Sequence, residues 1–417
     1  MKISIPYGKD EVEILVNDEN FGEMIYPNKV EIQDEFKILE NALKNPIASQ
    51  SFDDFLADAR DVLFIVNDPT RPTPTAKILG MIYNQIKDKN IKFIIATGVH
   101  RAPTQEEYGE IFGDYYSEFK DRIHSHDAKK DDTVFLGTSG NGTEMLINRL
   151  GMEAHKIVII SSVEPHYFAG YTGGRKSFLP GIASYKTIEQ NHKLALKPGA
   201  KALALKGNPV HEDMEEAINL IQDKGIFCIL TVLDRNENMY AATAGDIHES
   251  FNAAISKAHK VFVVDIKEKA DIVVTVAPYP MDIDLYQSQK AIDNAKLALN
   301  ENGILILISK CRTGIGNDLF VKLLSESSGP DDALERIDRG YKLGYHKAAK
   351  MAEIARWAKM WAVTDLDPNI LKSIFITPFN SIQEAIDAAV KEKGNAKILF
   401  MINGSLTVPR TTKGSEE

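Results

Sequence analysis

The stretch VLFIVNDPTRPTPTAKILGMIYNQIKDKNIKFIIAT, residues 62–97, carries the pattern that decides the fold. Its two ends, 62–66 and 92–97, are near-continuous apolar runs of the kind that form parallel strands buried on both faces. Between them, apolar residues recur at helical spacing and share one face: Ile78, Leu79, Ile82 and Ile86. A strand, a helix and a second strand in this order are typical of a right-handed βαβ unit.

The same alternation continues along the chain, so we predict an α/β fold: two α/β domains with largely parallel sheets and an active-site cleft between them. We expect an N-terminal domain over 1–266 and a C-terminal α/β domain over 270–396, because strand-like runs group on either side of 267–270. The last strand and tail, 400–417, are expected to rejoin the first domain.

Composition excludes several classes of protein. The 417 residues are 44% apolar and 26% charged, which is ordinary globular usage rather than that of a disordered or fibrous chain. The net charge of −10 argues against nucleic acid and anionic membranes as partners. No run approaches 18 apolar residues and the N-terminus lacks the apolar region of a signal peptide, so we expect a cytoplasmic protein without a membrane span. Cys228 and Cys311 are too few for an all-cysteine metal site.

Polar segments follow four of the predicted strands directly. The strand at 62–66 leads to Asp68 and Arg71, 92–97 leads to His100, 133–137 leads to 138–143, and 156–161 leads to His166. Ligands of open α/β sheets bind beyond the carboxyl ends of strands. One such segment alone is most often a capped turn, but four together predict a functional edge.

The segment EPHYFAGYTGGRKSFLPGIASYKTIEQNH, residues 164–192, is the most unusual in the chain. Gly173 and Gly174 allow unusual backbone angles and the close approach of a ligand. Arg175 and Lys176 put two cations beside that turn, which favours a cradle for phosphate or carboxylate, although the spacing is not that of a P-loop. His192 lies on a predicted helix, where a single histidine is more often a core residue than a ligand.

The second domain offers one comparable segment. After the strand at 271–277, Gln287 and Lys290 stand three residues apart and could reach one anionic ligand if this segment is helical. A solvated helix start is the alternative. The Gly-x-Gly segments at 140–142 and 314–316 lack the third glycine of a dinucleotide fingerprint, and the pair His124 and His126 is expected at the surface.

Five motifs together resemble the nickel-dependent lactate racemase family of 2-hydroxyacid racemases and epimerases. They are DPTRPTP (68–74), ATGVHR (96–101), EPHYFAGYTGGRKSFLPG (164–181), NH (191–192) and YQSQK (286–290). The resemblance extends from about residue 10 to about residue 400 and includes both predicted domains.

This resemblance implies a cofactor, a nickel pincer nucleotide whose organic part is pyridinium-3-thioamide-5-thiocarboxylic acid mononucleotide. Lys176 would form the thioamide link, and His192 would give a nitrogen ligand to Ni(II), whose preference for square-planar sites suits this set. Asp68, Gly173 and Gly174 would lie near the cofactor. Separate maturation enzymes would be partners, because they build and load it.

The resemblance also implies roles around the substrate. His100 and His166 would be the two catalytic acid/bases, one for each enantiomer. Arg71, Gln287 and Lys290 would hold the carboxylate and carbonyl oxygens. The expected activity is therefore an isomerase that racemises a small 2-hydroxy acid, with lactate as the default. A non-catalytic protein that binds the hydroxy acid or the cofactor, and an NAD-dependent dehydrogenase, remain the alternatives.

Overall fold

The structure, a computed structural model, describes residues 1–221 and 223–412 and divides into two compact units. The central unit comprises residues 29–261, and the terminal unit joins residues 1–28 to the described residues from 262 onward. Each unit contains a six-stranded sheet flanked by helices. The predicted α/β class with largely parallel sheets is confirmed.

The strands come in chain order, and several end at residues of interest. They are β1 (Lys2–Tyr7), β2 (Asp10–Leu15), β3 (Phe21–Ile25), β4 (Val62–Asn67), β5 (Ile91–Ala96), β6 (Ile123–Ser125), β7 (Thr133–Thr138), β8 (Glu144–Asn148), β9 (Lys156–Ser162), β10 (Pro165–His166), β11 (Gly170–Tyr171), β12 (Gly225–Leu233), β13 (Met239–Gly245), β14 (Val263–Ile266), β15 (Ala270–Val276), β16 (Leu299–Ile308), β17 (Lys359–Val363), β18 (Ile376–Pro378), β19 (Ile398–Met401) and β20 (Val408–Thr411).

The helices alternate with the strands of the two large sheets. They are α1 (Glu35–Lys44), α2 (Phe52–Ala57), α3 (Thr75–Ile86), α4 (Gln105–Phe112), α5 (Tyr116–Phe119), α6 (Arg149–Glu153), α7 (Tyr185–Lys193), α8 (Pro209–Asn219), α9 (Ile247–Phe262), α10 (Leu285–Ala295), α11 (Asp318–Ser325), α12 (Pro330–Arg339), α13 (Tyr345–Ala355), α14 (Pro368–Ser373) and α15 (Ile382–Lys393). None of the described helices is long and apolar enough to cross a bilayer.

The central sheet has the strand order β13-β12-β9-β4-β5-β6, and all neighbours except β12 and β13 are parallel. The inner strand β4 is buried on both faces because it is apolar, and every residue from Val62 to Val66 is buried. The chain runs from β4 outward to β5 and β6, then returns to the other side of β4 for β9 and β12. The order of strands therefore reverses between β4 and β9, where α/β sheets of this kind bind ligands.

The terminal sheet is parallel throughout, in the order β18-β17-β16-β15-β19-β3. Its outer strand β3 comes from the N-terminus and pairs with β19. The β1–β2 hairpin adds Ile5 and Ile14 to the same hydrophobic core as Val274 and Ile306. These contacts assign the first 28 residues to the terminal unit.

The structure divides the chain differently from the expected 1–266 and 270–396. Residues 1–28 belong with the C-terminal part because β3 completes its sheet. The last strand, β20, pairs in parallel with β14, which lies inside the expected first domain but is grouped with the terminal unit. The expected return of 400–412 to the first domain stays a prediction. Residues 413–417 of that expected return lie outside the described residues. An apolar run predicts that a strand is buried, but it does not identify the distant strand with which it pairs.

The predicted strand at 133–137 also has a different place. It forms β7, which pairs with β8 as an antiparallel two-stranded sheet outside the central sheet. Residues 138–143 therefore do not extend from the same sheet edge as the other three polar segments. Ser139 and Gly140 instead make hydrogen bonds to Asp213 and Glu216 of α8.

Candidate active site

Three polar segments meet where β4, β5 and β9 end. Asn67, the last residue of β4, accepts a hydrogen bond from the Ser162 N–H at the end of β9, with a distance of 3.1 Å. Just beyond, the Arg71 guanidinium lies 3.4 Å from the Glu164 carboxylate. Glu164 is buried and also accepts a hydrogen bond from the Ser162 hydroxyl at 2.8 Å. The reversal point of the sheet thus holds an arginine already oriented by a buried acid.

His100 follows β5 and is bonded to Asp68, which follows β4. Its Nδ1 lies 2.6 Å from Asp68 Oδ2, and the Thr70 hydroxyl donates to the other carboxylate oxygen at 2.8 Å. Burial by itself would raise the pKa of Asp68, but the charge of His100 and these hydrogen bonds outweigh it and hold that pKa below its ordinary value. Because an ionised carboxylate only accepts, His100 carries a proton on Nδ1 and directs Nε2 away from Asp68.

The turn that carries His100 is shaped by glycine. Gly98 has a φ of +56°, and its N–H donates to the Gly181 carbonyl at 2.9 Å. The His100 N–H then closes a tight turn onto the Thr97 carbonyl at 2.9 Å. The motif at 96–101 therefore bends back towards the segment that follows Lys176.

Three of the predicted site residues, His166, Lys176 and His192, lie around the ring of Phe168. Its ring centroid lies 4.6 Å from that of His166, 5.1 Å from that of His192 and 5.6 Å from Lys176 Nζ. His166 is 8% exposed and is also stacked on Tyr167, with a centroid distance of 5.0 Å. The structure thus brings His166, Lys176 and His192 around one aromatic ring, although they are up to 26 residues apart in sequence.

Lys176 lies in a short 3-10 turn, Gly174–Ser177, that follows Gly173, and both Gly173 and Gly174 have positive φ angles. Gly173 has a φ of +89°, and a Cβ at this position would lie 2.6 Å from Val163 Cγ2 and 2.9 Å from the Ser162 carbonyl oxygen. The Gly174 N–H donates to the Ser161 hydroxyl at 3.2 Å. Close packing on the end of β9 therefore requires a glycine at 173, and its expected place beside the cofactor stays a prediction.

Arg175 does not form the expected cradle with Lys176. It is only 1% exposed, and its guanidinium is used within the protein. It donates to the carbonyls of Ala169 and Tyr171 at 3.1 and 3.3 Å and lies 3.3 Å from Glu215. Adjacent residues in a 3-10 turn point in different directions, so only Lys176 of the two cations remains a candidate for ligand contact.

Gln287 and Lys290 belong to the terminal unit, near the start of α10. The segment is helical, as the argument from their spacing required, and the helix begins after Asp284, whose carboxylate caps it by accepting from the Gln287 N–H at 2.7 Å. Gln287 is 9% exposed, and Lys290 lies one turn further along. This helix follows β15, at the carboxyl edge of the terminal sheet.

Two residues of this site were missed by sequence reasoning. Glu164 orients Arg71, and Phe168 gathers His166, Lys176 and His192. Both lie inside the motif at 164–181, but an acid or a phenylalanine in a motif has no diagnostic spacing. The expected surface position of the pair at 124 and 126 is wrong for His126, which is 2% exposed and bonded to the Ala183 carbonyl at 2.9 Å.

The residues present fit the cofactor that the resemblance implies. A tether needs an amine and the metal needs one nitrogen from the protein, and Lys176 and His192 lie against the same Phe168 ring. Among the described residues, no three His, Cys, Asp or Glu side chains converge as an all-protein metal site.

Comparison with known proteins gives matches along most of the chain. Residues 7–203 match the family described as Lactate racemase N-terminal domain, and residues 264–408 match the Lactate racemase C-terminal domain. A lactate racemase of Thermoanaerobacterium thermosaccharolyticum is 31% identical over 423 residues, covering 97% of this chain and 98% of that relative. A lactate racemase of Lactiplantibacillus plantarum is 28% identical, covering 97% and 99%.

Solved structures agree with these matches. The structure of the lactate racemase apoprotein from Thermoanaerobacterium thermosaccharolyticum has a TM-score of 0.90 at 29% identity, covering 98% of this chain and 100% of that chain. A Thermotoga maritima protein with a TM-score of 0.70 and 18% identity, covering 91% and 98%, shares the fold. The predicted resemblance is confirmed.

Proposed function

The chain belongs to the lactate racemase family, and from that premise we propose that it racemises a 2-hydroxy acid, with lactate as the first substrate to test. The observation that supports this proposal is that His100 and His166 follow β5 and β9, the two parallel strands on either side of β4 in the central sheet. Racemisation needs a separate acid/base for each enantiomer, because the two enantiomers present the reacting hydroxyl differently.

His100 is suited to act as a base. Its Nδ1–H donates to Asp68, which leaves the lone pair of Nε2 for a substrate hydroxyl. Asp68 also stabilises the imidazolium that forms once His100 takes a proton. We had expected Asp68 beside the pyridinium or its ribose, but the 2.6 Å contact supports a different proposal, a positioning residue for His100.

His166 would serve the other enantiomer. Two aromatic neighbours, Tyr167 and Phe168, limit its rotation, and its Nδ1 accepts a hydrogen bond from the Ala169 N–H at 3.3 Å. The opposite ring nitrogen, Nε2, is thereby turned away from the backbone. A proton held at that atom would be exchanged with the substrate hydroxyl oxygen.

Arg71 would orient the substrate carboxylate. A guanidinium has five N–H donors, so its 3.4 Å contact with Glu164 through Nη1 is compatible with a bidentate pair to a carboxylate. Gln287 and Lys290 of α10 would bind the remaining oxygens. Such fixed geometry supports hydride transfer, which depends on the position of C2.

We propose that the cofactor is the nickel pincer nucleotide, attached to Lys176 and ligated through nickel by His192, with Gly173 and Gly174 beside it. When bound, this group supplies a reversible acceptor for the hydride of C2. Maturation enzymes that build the cofactor would be the protein partners. Lys176 and His192 lie on opposite sides of the 178–184 segment in sequence and meet at Phe168, which supports a shared ligand.

The test is turnover of single enantiomers of 2-hydroxy acids in D₂O by protein co-produced with the cofactor-building enzymes. We expect lactate to racemise with protium kept at C2, because the hydride returns to the same carbon. Deuterium at C2 would indicate proton abstraction and would contradict the hydride mechanism. Protein produced without those enzymes is the control and is expected to be inactive. A loaded protein that turns over no acid would favour the non-catalytic alternative.

A further inference from the structure

Arg175 is a fully buried cation next to the proposed tether, Lys176. Burial lowers its pKa to about 10, against the opposing effect of Glu215. A buried guanidinium is unfavourable unless its donors are satisfied. Its partners therefore show what it stabilises.

On one side, Arg175 holds the loop that connects His166 to Lys176. Its guanidinium donates to three main-chain carbonyls of this loop, at Ala169, Tyr171 and Gly173, over 3.1, 3.3 and 3.5 Å. Gly170 and Gly173 in the same loop have positive φ angles of 77° and 89°. The carbonyls of every second residue in this loop therefore point towards Arg175, and its planar guanidinium donates a hydrogen bond to each of them.

On the other side, Arg175 is anchored to α8 and α9. Its Nε donates to His211 Nδ1 at 2.7 Å and lies 3.3 Å from Glu215, both on α8. Its guanidinium stacks on the Phe251 ring of α9 at 4.2 Å. Glu215 is fixed in turn by His248 at 2.7 Å. The loop is thus tied through one side chain to two helices.

We propose that Arg175 is a positioning residue that sets the place of the Lys176 amine for attachment of the cofactor. This inference rests on the proposed function. Lys176 follows Arg175 directly, and the carbonyls that Arg175 holds span the loop from Phe168, the ring that Lys176 faces, to the turn that carries Lys176. Loss of the guanidinium frees that loop from α8 and α9 and displaces Lys176 from Phe168.

The test substitutes Arg175→Lys, which keeps the charge but has only three N–H donors and no planar fork, so it cannot bond His211 and the three carbonyls at once. Intact mass spectrometry follows covalent loading during co-production with the cofactor-building enzymes, and we expect loading to slow by about 10- to 100-fold, as for misplaced reacting groups. In apoprotein, the rate at which an acylating reagent labels Lys176 is measured by peptide mass spectrometry. We expect faster labelling, because the amine leaves its position against Phe168.

Lys156→Met is the matched control. Lys156 is also a buried cation that donates to a main-chain carbonyl, that of Phe55, but it lies at the amino end of β9, away from the site. The Lys156→Met substitution is expected to lower the melting temperature. Cofactor loading and labelling of Lys176 should stay at the level of the unsubstituted protein. A merely structural role for Arg175 would make the two variants alike.

Glu215→Gln tests the same inference should Arg175→Lys not fold, because it keeps the shape and removes the charge that anchors Arg175. Slower loading with faster labelling is expected, and unsubstituted rates of both in a folded variant would overturn the inference. Labelling uses apoprotein, so it reports on Arg175 even if no cofactor attaches to the unsubstituted protein. Failure of the cofactor to attach to the unsubstituted protein would contradict the proposed function, but it would not contradict the positioning of Lys176 by Arg175.

Discussion

His100 and His166 reach the same edge of the central sheet, yet different forces hold them. The His100 side chain is 37% exposed and is fixed by a 2.6 Å hydrogen bond to the buried Asp68 carboxylate. His166 is 8% exposed and is fixed by packing against Tyr167 and Phe168. One histidine is positioned by charge and the other by shape.

The difference extends to the ring protons. Nδ1 of His100 donates to Asp68, so Nε2 of the neutral ring is an acceptor. Nδ1 of His166 accepts from the Ala169 N–H, so Nε2 of the neutral ring is a donor. The two rings thus differ in what they offer to a hydroxyl, and substitutions that alter charge or shape are expected to separate them.

Removal of either ring is expected to have the largest effect. His100→Ala and His166→Ala should each lower kcat by about 10²–10⁴-fold, the usual contribution of an acid/base, measured on protein with equal cofactor content. Added imidazole is expected to restore part of the activity of His100→Ala, because that position is open to solvent. The buried position of His166 should not admit it. Equal rescue of both variants would contradict the contrast between them.

Asp68→Asn acts on charge alone and is expected to lower kcat by about 10- to 1000-fold. The amide can donate to Nδ1 of His100, which moves the ring proton to Nε2 and removes the lone pair of the base. Turnover of loaded protein measures this loss. Phe168 and His192 are unchanged in this variant, so cofactor attachment should be complete. Incomplete attachment would support the expectation that Asp68 lies beside the cofactor.

The same pair predicts a dependence of stability on pH. The folded state lowers the pKa of Asp68, so its stabilising effect is present above its ordinary value, about 4, and disappears as pH falls through the lowered value. The free energies of unfolding of the unsubstituted protein and of Asp68→Asn, both measured in urea, should therefore differ at pH 7 and converge below pH 4. A constant difference would mean that the carboxylate charge does not contribute.

Phe168→Leu acts on shape and is expected to lower kcat by about tenfold, because the ring that His166, Lys176 and His192 share is replaced by a smaller side chain. Loading at Lys176 should also slow. Phe93→Leu is the matched control, since Phe93 is fully buried among Phe64, Phe112 and Phe119 in the core of the central unit. Equal turnover in the two variants would remove Phe168 from the site.

Local pattern was enough to predict much of this site. The strands at 62–66, 92–97 and 156–161 are near-continuous apolar runs, and the polar residues that follow them share one edge because parallel strands end together. The spacing of Gln287 and Lys290 depended on the condition that their segment is helical, and the structure has a helix there, α10. These inferences need only the neighbours along the chain.

Contacts between distant segments were not predictable in the same way. Asp68 and His100 are 32 residues apart, and no spacing rule joins a carboxylate to a histidine over that distance. The strand at 133–137 has the apolar run of an inner strand but pairs in a separate hairpin. Arg175 was placed beside Lys176 as a second ligand cation, because sequence does not reveal which side chain of a tight turn is buried.

Substitution in a second histidine–carboxylate cluster, around Asp131, is expected to have the smallest effect on turnover. It tests whether disrupting any histidine–carboxylate pair lowers turnover, or only the pair of Asp68 and His100. Asp131 Oδ2 lies 2.6 Å from His124 Nε2 and accepts from the Asn148 amide at 2.7 Å and from the Asp127 N–H at 3.1 Å. Burial alone would raise the pKa of Asp131, but the hydrogen bonds to His124 and the Asp127 N–H, with the charges of His124 and His126, outweigh it and lower that pKa. Its contribution to stability is therefore present above about pH 4 and lost as pH falls further.

Asp131→Asn should accordingly lower the unfolding free energy by about 1–3 kcal/mol at pH 7, the usual cost of disrupting a buried hydrogen-bonded group, and by less below pH 4. Turnover per loaded molecule should stay within about twofold, since effects at separate sites are nearly independent. Urea unfolding and racemisation assays measure the two quantities. If Asp131→Asn lowered turnover as much as Asp68→Asn, the loss at His100 would reflect a disturbed fold, and the distinction between a histidine held by charge and one held by shape would lose its support.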